Sequence, residues 1–299
     1  MISVCIASYK RPRQLQALLQ ALLDEVVHPV PVEIVVCDND SARSAEAIVA
    51  QAANRTHVAV RYFCEPEQNI SLARNRVIAA AQGEWIALID DDELPSPQWL
   101  AQLYDTASAS GADGVFGPVF PILPPEAPTW LRDGGFFRPI RRQTGMTLSM
   151  TEAVAGNALL KAAILRKVQG PFDPRYGRSG GEDTLLFGTL LQKHGARFVG
   201  CAEAIVEEFV GVERCSLGWL LRRAFRGGMI WARVEAELFE RATRYFRAIF
   251  AAAVVVLLTP LAILVLPLRT PSGIRILLTI AGKFGQMCSI LPLRYVEYR

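Results

Sequence analysis

Four short apolar runs, ISVCIAS (residues 2–8), VEIVVCD (32–38), VAVRYFC (58–64) and WIALID (85–90), constrain this chain more than any other feature. Each is followed by a polar break and then, after the first three, by a helical pattern. Runs that are apolar on successive residues and rich in Val and Ile suit strands buried on both faces. The segment RPRQLQALLQALLDEV carries leucines at helical spacing and opens with Pro12 near its first turn. SARSAEAIVAQAA and SLARNRVIAAAQ, the latter ending at Gly83, continue the alternation, and Ser96 with Pro97 is expected to cap the helix after the fourth strand. Strands and helices alternating at this spacing specify an α/β fold with a mostly parallel sheet flanked by helices.

In such sheets ligands bind beyond the carboxyl ends of the strands. That rule brings three polar groups to one edge: Tyr9 and Lys10 after the first strand, Asp38-Asn39-Asp40 at the end of the second, and Asp90-Asp91-Asp92-Glu93 after the fourth. Four consecutive acids repel one another. Alternate side chains of an extended segment face opposite ways, so Asp90 and Asp92 share one side and Asp91 takes the other. Two converging carboxylates suit a hard divalent cation such as Mg²⁺ or Mn²⁺ shared with a substrate diphosphate. The alternative is a solvated acidic loop favoured by the next helix's N-terminal dipole. No GxGxxG or GxxxxGK[ST] stretch occurs, which argues against dinucleotide binding and P-loop chemistry.

A chain that is 51% hydrophobic and 20% charged is neither disordered nor a many-pass membrane protein, and a net charge of +3 is too weak to imply nucleic acid as a partner. The six cysteines are scattered without a CxxC pair and read as free thiols in a reducing compartment. MISVCIASYK enters the first strand without the pattern of a signal peptide, so a cytoplasmic site is expected.

Asp38 after EIVVC, NISLARN (69–75), DDDE after WIALI and GGEDTLLFGTLLQKHG (180–195) together resemble the family 2 glycosyltransferases of the GT-A fold, a Rossmann-like nucleotide-binding sheet flanked by helices. The resemblance is nearest to bacterial succinoglycan-biosynthesis glucosyltransferases and covers residues 2 to 233. It implies a UDP-sugar donor with Mg²⁺ or Mn²⁺. By the same resemblance Asp38 faces the uracil base, Arg74 lies near the nucleotide, and Asp90 and Asp92 border the donor diphosphate; Tyr9, placed at the same edge by the strand-end rule, is expected to join the nucleotide site. Asp92 is then the principal metal ligand, and Asp183 the general base with Glu182 beside it. Inverting transfer requires this separation: a carboxylate on the acceptor side takes a proton, and a metal on the leaving side neutralises the diphosphate. Glu182 and Asp183 equally suit the start of a helix.

Other positions keep two readings. Asn157 either hydrogen-bonds a sugar hydroxyl or is a satisfied turn asparagine. Gly117 and Gly156 allow close approach of backbone to a ligand, and Trp130 or Phe136 either stacks on a sugar or packs in the core. Many relatives carry a metal- or diphosphate-holding histidine where AIVEEFV places Glu207 or Glu208; none of His28, His57 and His194 fits. Glu207 is expected as a metal ligand or else as a surface acid. Arg223 and Arg226 lie three apart on one helix face, suited to a leaving diphosphate, a lipid-linked diphosphate acceptor or anionic lipid. The QxxRW motif of processive synthases is absent, which favours single-sugar transfer.

Residues 248–268 contain no charge, a length of roughly 31 Å as a straight helix, enough for one hydrocarbon core. Seven arginines between residues 216 and 247 precede the run, and four more with Lys283 follow it. With both flanks basic, the expectation is a helical hairpin broken near Pro260, or a segment lying in the interface, with both ends cytoplasmic. Residues 274–293 are then a surface amphipathic helix. The expected divisions are 1–120 for nucleotide-sugar binding, 121–215 for acceptor binding and catalysis, and 216–299 for the basic, membrane-associated C-terminal helices. The expected activity is transfer of one hexose, glucose from UDP-glucose, to a polyprenyl-diphosphate-linked glycan for exopolysaccharide, at the cytoplasmic face of the bacterial inner membrane. Alternatives are a galactosyl or rhamnosyl transferase, a sugar-nucleotide pyrophosphorylase (although IASYKRP lacks the usual Gly-rich loop) and a non-catalytic membrane scaffold.

Overall fold

The computed structural model describes residues 1–24, 30–140, 142–240, 242–265 and 270–291. Its first part follows the predicted alternation: β1 (Ile2–Ser8), α1 (Pro12–Asp24), β2 (Val32–Asp38), α2 (Glu46–Ala53), β3 (Ala59–Cys64), α3 (Ile70–Ala80) and β4 (Trp85–Ile89). β1 pairs in parallel with both β2 and β4. The strands are apolar throughout because both faces are covered. Ile2, Val4 and Ile6 pack with Leu15, Leu18 and Leu22 of α1, whereas Cys5 and Val35 pack with Ala73 and Val77 of α3. α2 begins later than its sequence pattern suggests, because Asp38 Oδ1 and Oδ2 accept the backbone N–H groups of Asp40 and Ala45 and hold the intervening residues in turns.

The chain continues through β5 (Glu93–Pro95), α4 (Trp99–Ser110), β6 (Gly114–Phe116), β7 (Val119–Ile122), α5 (Thr129–Gly134), β8 (Asn157–Lys161), α6 (Ala162–Leu165), α7 (Glu182–His194), β9 (Phe198–Gly200) and β10 (Val206–Phe209). The main sheet has the order β3-β2-β1-β4-β8-β6-β9, with β8 antiparallel to both of its neighbours. A second sheet, β5-β10-β7, turns the acidic segment back over the strand ends. Ser96 does not cap α4 with its hydroxyl: its carbonyl accepts from Trp99 N at 3.1 Å, and Gln98, at φ 63°, precedes the helix. The 120/121 division falls inside β7, and both of the first two segments contribute to both sheets.

Asn157, a candidate sugar ligand, is instead a fully buried strut. Its Oδ1 accepts from Trp99 Nε1 at 2.8 Å, and its Nδ2 donates to the carbonyls of Pro118 and Ala204 at 3.0 and 2.7 Å. Gly117 serves this strut rather than a ligand, since a Cβ there would collide with Asn157 Nδ2 and the Ala204 carbonyl.

Three long helices follow: α8 (Leu217–Leu238), capped by the Ser216 hydroxyl, α9 (Thr243–Val265) and α10 (Pro271–Cys288). α8 and α10 touch through backbone, because Gly228 meets the Gly282 carbonyl and Gly285 meets the Phe225 carbonyl. α9 runs unbroken through Pro260, contrary to the expected break. The ring removes one helical N–H, and Thr259 Oγ1 bonds the Val255 carbonyl at 2.7 Å in the turn before it. The chain reverses later. Lys283 Nζ lies 5.2 Å from the Phe250 ring centroid, so the end of α10 runs beside the start of α9. Residues 266–268 of the uncharged run and 292–293 of the expected amphipathic helix lie outside the described residues. α9 exposes Phe246, Ile249, Val256, Leu257, Ile263 and Leu264, and residues Thr243–Leu264 are long and apolar enough to cross a membrane.

Candidate active site

The carboxyl ends of β1 and β4, the N-terminus of α7 and the first turns of α8 surround a cavity of about 540 Å³. Seven arginines (Arg11, Arg74, Arg138, Arg142, Arg214, Arg223, Arg226) and seven carboxylates (Asp90, Asp91, Asp92, Glu93, Glu182, Asp183, Glu208) line it. Of the residues expected at a site, Tyr9, Arg74, Asp90, Asp92, Glu182, Asp183, Arg223 and Arg226 come together here; Asp38, Asn157 and Glu207 do not.

The acidic run does not divide by strand alternation: residues 91–92 form a turn closed by Glu93 N on the Asp90 carbonyl at 3.2 Å, and Asp91 and Asp92 share Arg11 while Asp90 pairs with Arg74. Asp91 turns into the protein, accepting from Ser8 Oγ at 2.8 Å and Tyr9 N at 3.2 Å. All four acids line the cavity, Asp90 being the most exposed of the ion-paired ones. Glu93, fully buried, accepts from Asp90 N at 2.9 Å. Burial pushes the Asp91 and Glu93 carboxyls upward, and it raises Asp92 to about 7 although the Arg11 guanidinium opposes this. Arg11 Nη1 stands 2.8 Å from Asp91 Oδ1 and 2.8 Å from Asp92 Oδ2.

β10 decides between the two glutamates. Glu207 is exposed on the outer face, while Glu208 lines the cavity, opposite Glu93 in the ladder and 2.6 Å from Arg214 Nη1. Successive residues of a strand face opposite ways, so Glu207 is replaced by Glu208 in the candidate metal set. Among the described residues no group of three or more His, Cys, Asp or Glu side chains is arranged to hold a metal ion. Asp90, Asp92 and Glu208 are nonetheless the hard oxygen donors that Mg²⁺ and Mn²⁺ take, and such ions commonly draw their remaining ligands from substrate phosphates and water.

Arg74 is buried between the two acidic motifs. Its Nη1 donates to Glu182 Oε1 and its Nη2 to Asp90 Oδ1, both at 2.7 Å, with the guanidinium 5.3 Å from the Phe172 ring centroid. The second Glu182 oxygen is buried without a hydrogen-bond partner. Burial therefore pushes Glu182 up to about 7, against the pull of Arg74.

Asp183, the next residue, is half-buried, and its Oδ1 accepts from Thr184 N at 2.6 Å. It lines a second cavity of about 560 Å³ as well as the first. The second cavity runs between α7, α8 and α10, with Arg223 and Arg226 beside Leu220, Ile230, Trp231 and Leu278. The Arg223 guanidinium lies 5.6 Å from the Phe137 ring centroid and 5.2 Å from that of Trp219, whose rings stack on each other. Phe136 reaches both cavities, whereas Trp130 packs edge-on against it in a small core cluster.

Asp38, expected to face a base, is fully buried. Besides the two turn amides, its Oδ2 accepts from Tyr62 Oη at 3.2 Å, and the neighbouring Asn39 lines the cavity instead. Arg11, Arg142, Arg214 and Trp219 were not singled out by the sequence. Arg142, on the proline- and aromatic-rich segment, is buried, donates to the Gly117 carbonyl at 2.7 Å and is lowered to about 10 by burial.

Comparison with known proteins identifies the family and the fold. Residues 3–169 match the model of glycosyl transferase family 2. The chain is 34% identical over 242 residues to the succinoglycan biosynthesis protein ExoM of Rhizobium meliloti, covering 79% of this chain and 75% of that one. It is 25% identical to the glycosyltransferase AglE of Haloferax volcanii over 86% of this chain and 80% of that protein. Among solved structures, the mannosyltransferase PcManGT of Pyrobaculum calidifontis, in complex with GDP-Man and Mn²⁺, superposes with a TM-score of 0.59 at 19% identity, covering 95% and 86% of the two chains. S. aureus TarS 1–349 in complex with UDP superposes with a TM-score of 0.54 at 13% identity, covering 100% and 96%. The mostly parallel sheet with its acidic strand end is thus the GT-A fold, and this chain belongs to glycosyl transferase family 2.

Proposed function

We propose that this protein is an inverting, metal-dependent hexosyltransferase that moves one glucose from UDP-glucose to a polyprenyl-diphosphate-linked oligosaccharide in exopolysaccharide synthesis. The observation that carries this proposal is the position of Asp183 at the junction of two cavities, one lined by the Asp90–Asp92 acids and the other by arginines and apolar side chains. The first suits a nucleotide diphosphate. The second suits an amphipathic anion: Arg223 and Arg226 for its phosphates, and Leu220, Ile230, Trp231 and Leu278 for its hydrocarbon.

Asp183 takes the proton of the acceptor hydroxyl as that oxygen bonds to the anomeric carbon. The bond from that carbon to the donor phosphate oxygen breaks, and its electron pair leaves with UDP. Arg74 fixes Asp90 and Glu182 so that the donor and acceptor sides keep their spacing. Asp90, Asp92 and Glu208 would hold the divalent ion, which neutralises the charge growing on the leaving diphosphate. The exposed apolar face of α9, with arginines before it, supports attachment to the cytoplasmic face of the inner membrane, where a polyprenyl acceptor resides.

The exopolysaccharide assignment is supported by the 34% identity to a succinoglycan biosynthesis protein, and the choice of glucose and UDP rests on the resemblance to succinoglycan-biosynthesis glucosyltransferases. A panel of radiolabelled UDP-glucose, UDP-galactose, dTDP-rhamnose and GDP-mannose, offered with membranes carrying lipid-linked acceptors, tests it. Label from UDP-glucose should enter the organic-extractable lipid and vanish with EDTA. Label entering from another donor would reassign the sugar, and label absent from the lipid fraction with every donor would end the lipid-acceptor assignment.

A further inference from the structure

We infer that Arg11 is a resident counter-cation of the Asp91–Asp92 pair that yields to the divalent ion only when the donor diphosphate arrives, and so makes metal binding depend on nucleotide. This inference rests on the donor site proposed above. One guanidinium nitrogen lies 2.8 Å from a carboxylate oxygen of each aspartate. It therefore stands against Asp92, the acid best placed to hold a metal.

Three observations single out Arg11 as a displaceable cation. First, its side chain is 36% exposed, whereas those of Asp91 and Asp92 are only 5% and 12% exposed. The cation can leave; the carboxylates cannot. Second, the Asp91 carboxylate keeps two other donors, Ser8 Oγ and Tyr9 N, when Arg11 departs. Among the described residues Asp92 has no other ion pair, so it is the member of the pair left needing a cation. Third, Arg11 occupies an unfavourable place for a cation. Its carbonyl accepts from Leu15 N at the start of α1, where the helix dipole repels positive charge and attracts phosphate.

Together these give the site two arrangements. Without ligand, Arg11 neutralises the acids and opposes a second cation. With the diphosphate present, the phosphates offer the guanidinium a new anionic partner near the α1 N-terminus, and Asp92 is released. Arg11 is thus a positioning residue, coupling two ligands through one side chain.

Mn²⁺ binding to the full chain, followed by calorimetry and by the electron paramagnetic resonance of free Mn²⁺, with and without UDP, tests this. UDP should tighten Mn²⁺ binding to the wild-type protein by at least about tenfold, within the range of coupled sites. Arg11→Gln should bind Mn²⁺ alone about tenfold more tightly and lose most of the gain from UDP. Arg11→Lys, which restores a cation, should return towards wild type, an effect that a merely structural role would not produce. Arg11→Gln with unchanged Mn²⁺ affinity and an intact UDP gain would overturn the inference and leave the donor site standing. So would a wild-type protein that binds both ligands independently, a result that needs no variant to fold. A wild-type protein that binds neither Mn²⁺ nor UDP would overturn the donor site and this inference together.

Discussion

Arg74 Nη1 lies 2.7 Å from Glu182 Oε1 although the residues are 108 apart in the chain. With Asp90 on its other nitrogen, this one side chain ties the acidic end of β4 to the start of α7. Arg74→Met should leave a buried carboxylate without its cation and cost about 3–5 kcal/mol, the usual penalty for removing one partner of a buried pair. Denaturant unfolding measures this, and a loss below about 1 kcal/mol would mean that the tie is mechanically idle.

Glu182 also sets a pH dependence. Its folded pKa of about 7 lies above the ordinary 4.5, so the folded state binds the proton more tightly than the unfolded chain. Stability from this group is complete below pH 4.5 and is lost as the pH rises towards and through 7. The slope should disappear in Glu182→Gln, which cannot titrate. Melting temperature across that window, wild type against variant, is the measurement.

Asp183→Asn should lower turnover by about 10²- to 10⁴-fold, the usual worth of a positioned base. UDP affinity by calorimetry should stay the same, because the change removes proton acceptance and little volume. A variant with near-normal turnover would move the base to another group.

Asn157→Ala should act on stability alone. It strands the Trp99 Nε1–H and the carbonyls of Pro118 and Ala204, each buried group costing about 1–3 kcal/mol when unpaired. A changed KM for the sugar donor with unaltered stability would return Asn157 to the list of sugar ligands.

Val256 and Leu257 are 74% and 76% exposed on α9. Replacing both with Glu should shift the protein from vesicle-bound to free in flotation assays, since each apolar side chain contributes about 1.5–3 kcal/mol on full burial. Unchanged flotation would show that other surfaces hold the membrane.

Much of this was legible in the sequence, for identifiable reasons. β1, β2 and β4 could be read because strands buried on both faces carry unbroken apolar runs. The Glu182–Asp183 helix start follows from local periodicity, whereas residues 91–92 form a turn and not the extended segment that an Asp90/Asp92 alternation assumes. β5 and β10 were not legible, being three and four residues long and paired with strands distant in the chain. The same shortness hid the phase of β10, and a one-residue change of phase exchanges Glu207 for Glu208. Asp38 was misjudged because its carboxylate is consumed by turn amides that no motif records. Arg11 could not be found because its partners lie about eighty residues away. Pro260 suggested a break, but one lost N–H is tolerated in a long apolar helix.

The glycine contacts between α8 and α10 carry a wider consequence. With Gly228 on Gly282 and Gly285 on Phe225, two backbones meet with almost no side chain between them, and Leu278 of α10 helps to wall the second cavity. The C-terminal helices and the catalytic domain are therefore one mechanical piece. Trimming α10 would remove part of the wall of the second cavity, and a displacement of the C-terminal helices would be delivered to the walls around Asp183.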